Sequence, residues 1–184
     1  MDESKGEKVP EKRWYAMRVT FRREMTVKQM LDVEHVESFI PMRRETRMLR
    51  GRRMNVMSPV VHNLLFVHAE KEWLQSFKSQ VPYLQYMTTK CDGKNVPITV
   101  PDKQMADFMT VASSDSGNLI YFDSNETAIA AGTQVRIHGG AFDGLTGSFV
   151  KIKGKRSKKV VVAVQNVLAV AIDAINCDYM EILK

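Results

Sequence analysis

The pattern of apolar and polar residues divides the first part of the chain into extended and helical segments. Residues 14–20 form an aromatic and β-branched run that predicts a strand. Within residues 22–36, Val27, Met30 and Leu31 recur at i, i+3 and i+4, which predicts a helix. Further strands are predicted at residues 37–49, 60–69, 83–89 and 96–100, turns at 51–53 and 92–93, and helices at 70–79 and 102–112. This order predicts an α/β sandwich, an antiparallel sheet with helices packed against it.

The pattern after residue 131 is all-β. Val135 and Ile137 alternate with polar residues, a glycine-punctuated loop follows, and a second strand resumes near Phe149. A hairpin is predicted around residues 165–166 and a last strand near residues 179–183. The small polar run at residues 113–118 predicts a linker, and apolar residues 119–122 are expected to dock onto a neighbouring surface. We therefore predict an α+β protein with a flexible tail (residues 1–12), a first domain (13–112), a linker (113–130) and a second domain (131–184).

Composition narrows the class of protein. The 27 Lys and Arg residues exceed the 21 Asp and Glu residues, which gives a net charge of +6 and favours contact with polyanions such as nucleic acid. Cys91 and Cys177 lie far apart in no metal-binding motif, as expected of reduced thiols in the cytoplasm. The N-terminus lacks the apolar core of a secretory signal, and no apolar run is long enough to span a membrane. We expect a soluble, cytoplasmic protein without membrane contact.

Enzyme motifs are missing from the sequence. The glycine loop matches neither a phosphate-binding P-loop nor a dinucleotide-binding motif. The four histidines are scattered, without a zinc-protease spacing, and the serines form no nucleophile elbow. We expect no enzymatic activity, no metal and no cofactor.

Two features together carry a resemblance to a known family. The strand–loop–strand segment at residues 132–150, followed by the cationic run KIKGKRSKK, resembles a KOW motif, the core of a small SH3-like barrel. With the first domain, the chain resembles the NusG family of bacterial transcription elongation factors. The matches are Trp14-Tyr15, Phe39-Ile40-Pro41, Leu64-Leu65-Phe66-Val67 and the loop from Gly140 to Gly147, whose KOW positions are Gly140, Phe142, Gly144 and Gly147.

Some positions depart from the common family pattern. Val61-His62-Asn63-Leu64 stands where many members have an aromatic-Pro-Gly-Tyr sequence, and Ala141 replaces a common proline. The chain is in this respect similar to specialised paralogues that control capsular and surface polysaccharide operons in Bacteroides-like bacteria.

The resemblance implies a polymerase-binding surface on the first domain. Family members use an apolar hollow there to bind the β′ clamp helices of RNA polymerase, and the matching positions are Arg18, Val61, Leu64, Phe66 and Tyr86. The alternative is that these are ordinary core residues. Alternation places Leu64 and Phe66 on one face of a strand and Leu65 and Val67 on the other, so one pair is expected to be core and the other surface.

Cationic clusters supply the candidate nucleic-acid contacts. Six arginines lie between residues 43 and 53, where the resemblance implies a hairpin near upstream or non-template DNA: Arg43, Arg44, Arg47, Arg50, Arg52 and Arg53. Arg22 and Arg23, predicted to open the first helix, are lesser candidates. The second domain offers Lys155, Arg156, Lys158 and Lys159 for RNA or a protein partner. The alternative for each cluster is an ordinary solvated surface that binds no ligand. For the hairpin, such a charged surface would protect an edge strand from aggregation.

These features predict a transcription elongation or antitermination factor that binds RNA polymerase and suppresses pausing or termination. The KOW domain is expected to contact a ribosomal small-subunit protein or a termination factor. The rivals are a KOW-containing ribosomal or ribosome-assembly protein that binds RNA, and a generic SH3-like adaptor.

Overall fold

The computed structural model describes residues 11–114, 119–123, 132–151, 158–164, 167–173 and 179–183. The helices are α1 (Glu24–Val33), α2 (Lys71–Gln80) and α3 (Asp102–Ala112). The strands of the first part are β1 (Arg13–Val19), β2 (Ser38–Phe39), β3 (Met42–Leu49), β4 (Arg52–Pro59), β5 (Leu64–Ala69), β6 (Leu84–Tyr86), β7 (Thr88–Cys91), β8 (Lys94–Pro97) and β9 (Thr99–Val100). Those of the second part are β10 (Ile120–Asp123), β11 (Thr133–His138), β12 (Thr146–Lys151), β13 (Lys158–Val164), β14 (Leu168–Asp173) and β15 (Tyr179–Ile182).

The first sheet is antiparallel and centred on β1. Its order is β2-β5-β1-β6, and β9 pairs with β1 as well. Alternation along β1 sends Tyr15 and Met17 to one face and Trp14 and Ala16 to the other. The first face packs against Val27 and Leu31 of α1 and Leu74 of α2. The sheet-and-helix sandwich predicted from the sequence is therefore confirmed.

Helix α3 lies between the first sheet and a second one. Its Phe108 ring meets Phe66 at 6.0 Å and Phe39 at 6.1 Å between centroids, on the Trp14–Ala16 face of the first sheet. The same helix packs against β13 and β14. Apolar residues of both sheets and of α3 belong to one continuous buried cluster. The two parts of the chain thus share a core.

The second sheet has six antiparallel strands in the order β10-β14-β13-β12-β11-β15. Among the residues described, β10 and β15 are its two edges, and no pairing closes it into a barrel. β10 comes from the segment expected to dock onto a neighbouring surface, and it does so as an edge strand on β14. Gly144 has φ +77°, and a Cβ on Gly147 would lie 2.7 Å from the Val161 carbonyl oxygen. The loop therefore needs glycine at both positions.

Several boundaries differ from the sequence predictions, including those of the strands predicted at residues 37–49 and 96–100, each of which is divided in two. Helix α1 begins at Glu24, because Phe21 and Arg22 adopt left-handed backbone in a 3-10 turn (Thr20–Arg22) that precedes it. The strand predicted at residues 60–69 begins only at Leu64, after a turn. The strand predicted at residues 83–89 is divided into β6 and β7, and the hairpin tip is Arg50-Gly51 rather than residues 51–53.

Candidate functional site

The cationic hairpin formed by β3 and β4 stands apart from both large sheets. Among the described residues, its strands pair only with each other, from Met42↔Pro59 to Leu49↔Arg52. Arg50 (φ 49°) and Gly51 (φ 75°) form the two-residue loop, which has the positive φ angles of a type I′ turn. All six arginines of the run at residues 43–53 lie on this hairpin and are exposed.

The register of the hairpin sorts its side chains onto two faces. One face carries Arg43, Glu45 and Arg47, and the other carries Arg44 together with Met48 and its partner Arg53. Four apolar side chains are also exposed on the hairpin: Met48, Leu49, Met54 and Met57. The hairpin therefore presents cations interleaved with apolar groups, a mixture suited to both the phosphates and the bases of a nucleic acid.

Glu45 orders two of these arginines. Arg43 Nε donates to one carboxylate oxygen at 2.6 Å, and the Arg47 guanidinium donates to the other at 2.9 Å. The pKa of Glu45 is lowered to about 2 by the nearby Ser58 hydroxyl and by hydrogen bonds from Arg47 and Arg43. Within the described chain, Ser58 Oγ makes no hydrogen bond of standard geometry, so we assign the effect chiefly to the arginines. Arg43, Glu45 and Arg47 are alternate residues and therefore share one face of the strand. This spacing is a sequence signal that could have revealed the arrangement.

We expect the Glu45 carboxylate to titrate near pH 2, well below its ordinary value of 4.5. Because its folded-state pKa is depressed, its stabilising effect is present above pH 4.5 and is lost as the pH falls towards 2. The measurement is a ¹³C-detected NMR titration of the glutamate carboxyl groups, with Glu45→Gln to assign the signal. A midpoint above pH 4 would show that the arginines do not hold this carboxylate in solution.

Arg22 and Arg23 occupy the turn before α1. The Arg22 backbone N–H donates to Asn63 Oδ1 at 3.0 Å, and the Arg23 guanidinium lies over the Tyr83 ring at 4.9 Å. Both side chains are exposed. The acid that follows, Glu24, is buried and bonded to His62 at 3.1 Å. The turn therefore presents cations at the surface while its neighbouring acid faces inward.

The five predicted polymerase-binding residues do not share one surface. Leu64 and Phe66 lie on the face of the first sheet that α3 covers, and Val61 packs against the same cluster, half-buried. Arg18 pairs with Leu64 and is exposed. Tyr86 packs on the opposite face, at 5.6 Å from Tyr15, and burial raises its pKa.

Alternation along β5 does not separate a core pair from a surface pair. Leu64 and Phe66 are buried on one face, and Leu65 and Val67 are buried on the other. The expectation that one pair is exposed is therefore wrong, because α1 and α2 cover one face of the sheet and α3 covers the other.

A hydrogen bond joins α3 to the second sheet. Thr146 Oγ1 donates to Asp107 Oδ2 at 2.9 Å, and Lys103 Nζ reaches the same oxygen at 2.9 Å. Asp107 is largely buried, with 15% of its side chain exposed. This bond can report on whether the two parts of the chain pack together in solution.

We expect Asp107→Ala and Thr146→Val to be coupled by about 1–2 kcal/mol in a double-mutant cycle, because the first removes the acceptor and the second removes the donor of a charged hydrogen bond. The measurement is urea unfolding of both single variants and the double variant. Lys103→Met serves as a control, since it removes the ion pair to Asp107 and leaves the hydrogen bond from Thr146 in place. Additive effects of the Asp107 and Thr146 changes would mean that the contact is absent in solution.

The glycine loop forms as predicted, with Phe142 buried in the 3-10 turn Gly140–Phe142. Gly139 N–H donates to Asp143 Oδ1 at 2.8 Å, and Gly144 N–H donates to the Ile137 carbonyl at 2.8 Å. Lys155 and Arg156 lie outside the described residues, as does the side chain of Lys158. Lys159 is buried in β13, so it is not exposed for the contact with RNA or a protein partner that the sequence suggested.

In the described part of the chain, histidine, cysteine and acidic side chains form no group of three or more suited to holding a metal ion. No helix in that part is long and apolar enough to cross a membrane.

A protein-family match establishes the family to which this chain belongs. The model described as "Transcription termination factor nusG" matches residues 12–109, more than half of the chain. The chain belongs to the NusG family. It is therefore a NusG-family transcription factor, a class without enzymatic activity.

Solved structures include a similar NusG. The structure titled "Domain interaction in Thermotoga maritima NusG" shares 17% sequence identity with this chain, at a TM-score of 0.45. The match covers 95% of this chain and 98% of the other. No curated protein matches the sequence.

Proposed function

We propose that this NusG-family protein binds RNA polymerase at the β′ clamp helices and suppresses pausing or termination during elongation. A ligand that binds only the closed state of the clamp shifts the clamp towards that state. The cationic hairpin carries the proposal, because a cluster of exposed arginines standing clear of the core can reach DNA while the rest of the domain contacts protein. We place this action in the cytoplasm.

The polymerase-binding surface requires a rearrangement under this proposal. Leu64 and Phe66 are buried beneath α3, which also packs on the second sheet. Binding through the Leu64 face therefore requires α3 and the second sheet to move, whereas Arg18 is accessible without that change. Release of the second sheet would also free it as a KOW-type, SH3-like adaptor for a ribosomal small-subunit protein or a termination factor.

We further propose that the protein acts at particular operons, as a specialised paralogue for capsular or surface polysaccharide genes. The support is sequence-based and consists of Val61-His62-Asn63-Leu64 before β5 and Ala141 in the glycine loop. Recognition of non-template or upstream DNA by the arginines of the hairpin would supply the specificity.

The test is binding to a reconstituted elongation complex of RNA polymerase on a nucleic-acid scaffold. We expect the chain to co-purify with polymerase and to shorten pauses, and a polymerase variant with altered clamp-helix residues to lose both effects. Binding to ribosomal RNA without polymerase would instead favour the ribosomal alternative. If the folded chain does not bind transcribing polymerase, the proposal is refuted.

A further inference from the structure

The turn between β1 and α1 exposes an aromatic ring in an unusual way. Phe21 is 81% exposed, the most exposed of the large apolar side chains in the described residues. An isolated exposed phenylalanine forms no core contact, so its side chain does not stabilise the fold by burial. The sequence pattern alone predicts a helix that begins at the next residue, Arg22.

The backbone that carries this ring is held in a costly conformation. Phe21 (φ 62°, ψ 27°) and Arg22 (φ 54°) are consecutive residues in the left-handed region, which residues other than glycine, asparagine and aspartate rarely adopt. Such strain persists only where surrounding contacts enforce it, and it concentrates at sites that hold ligands.

The enforcing contacts come from Asn63, which follows the cationic hairpin. Its side-chain oxygen accepts from the Arg22 N–H at 3.0 Å, and its carbonyl accepts from the Val19 N–H at 3.0 Å. Thr20 N–H donates to the Tyr83 carbonyl at 2.9 Å. Because Asn63 lies four residues after the end of β4, these hydrogen bonds hold the turn at the base of the hairpin.

The charges around the ring favour an anionic ligand. Arg22 and Arg23 are exposed beside Phe21, and Arg23 is steadied over the Tyr83 ring. The adjacent acid, Glu24, is 2% exposed and points to His62. An exposed aromatic ring flanked by cations is the arrangement that binds an unpaired base and its phosphates.

We propose that Phe21 stacks on an unpaired base of single-stranded nucleic acid, with Arg22 and Arg23 contacting the adjoining phosphates. This inference rests on the proposed function, since it extends the nucleic-acid surface from the hairpin to the turn at its base. The strained backbone directs the ring outward, and the hydrogen bonds of Asn63 fix the position of the ring relative to the hairpin. Duplex DNA offers no such base, so the contact selects single strands.

The test is fluorescence anisotropy of the full chain with a labelled 12-nucleotide oligo-dT strand and with a 12-base-pair duplex, across a range of salt concentrations. Phe21→Asn removes the ring and keeps a residue that tolerates left-handed backbone. We expect it to weaken single-strand binding by about 5- to 150-fold, the range for loss of one stacked base. Duplex binding and the salt dependence should stay unchanged, and Phe21→Tyr should bind like the parent chain.

Matched variants separate stacking from charge. Arg22→Gln with Arg23→Gln should reduce the slope of log affinity against log salt by about 1.4 for a single strand, because two phosphate contacts are lost. Val33→Asn changes another very exposed apolar residue and should have no effect. In a Phe21→Trp variant, indole fluorescence should be quenched when the oligonucleotide binds.

Any of three results with nucleic acid alone would overturn the inference: no single-strand binding by the parent chain, equal binding by the parent and Phe21→Asn, or equal losses on single strand and duplex. If Phe21→Asn instead lost affinity for polymerase free of nucleic acid, the ring would be a protein contact and the inference would also fail. The proposed function is tested separately, by binding of the chain to the elongation complex. A chain that binds that complex while Phe21 proves neutral would retain its function without this contact.

Discussion

Replacing Phe108 with alanine should lower the free energy of unfolding by about 3–5 kcal/mol, the range for removing a buried phenylalanine ring. Phe108 is fully buried on α3 and contacts the rings of Phe66 and Phe39. Because α3 also packs on the second sheet, the resulting cavity would lie in the core that the two sheets share. The measurement is urea denaturation followed by circular dichroism and by tryptophan fluorescence.

The control for this variant is Val33→Ala on α1, which is 76% exposed and should change the stability by less than about 0.5 kcal/mol. We expect the two probes to report one transition in the parent chain, because the sheets share a core. A Phe108→Ala effect below about 1 kcal/mol would show that α3 is not packed as described.

Replacing Arg50, Arg52 and Arg53 with glutamine should greatly weaken nucleic-acid binding. These residues lie at the exposed end of the hairpin, and no acidic side chain among the described residues pairs with them. Loss of three phosphate contacts should reduce the salt slope for a single strand by about 2. If the counterion contribution vanishes near 1 M salt, that slope corresponds to about a 100-fold loss of affinity at 0.1 M.

The second two-stranded hairpin provides a matched control. Lys90 and Lys94 are exposed on β7 and β8, and their replacement by glutamine should leave affinity and salt slope nearly unchanged. The measurement is anisotropy over a salt series with all variants folded. An unchanged slope in the arginine variant would mean that the hairpin arginines form a solvated surface and make no phosphate contacts.

Much of the fold could be predicted from local patterns. The glycine loop, α3 and the Asp92-Gly93 turn occur where the sequence placed them, since each depends on neighbouring residues. The start of α1 could not be predicted, because the left-handed turn that delays it is enforced by Asn63, 41 positions away from Arg22. The arginine cluster was visible as a charge run, but the bracing of Arg43 and Arg47 by Glu45 required the hairpin register.

The sequence by itself determined the antiparallel α/β first part, the all-β second part, the exposed arginine cluster and the resemblance to the NusG family. These follow from periodicity, glycine placement and local charge, which act over a few residues. Only the tertiary structure decided that α3 lies between two sheets, that both pairs on β5 are buried, that Tyr86 lies on the face opposite Phe66, and that Phe21 points into solvent. Such outcomes depend on which distant surfaces pack together, and alternation along one strand distinguishes its two faces without revealing what covers either of them.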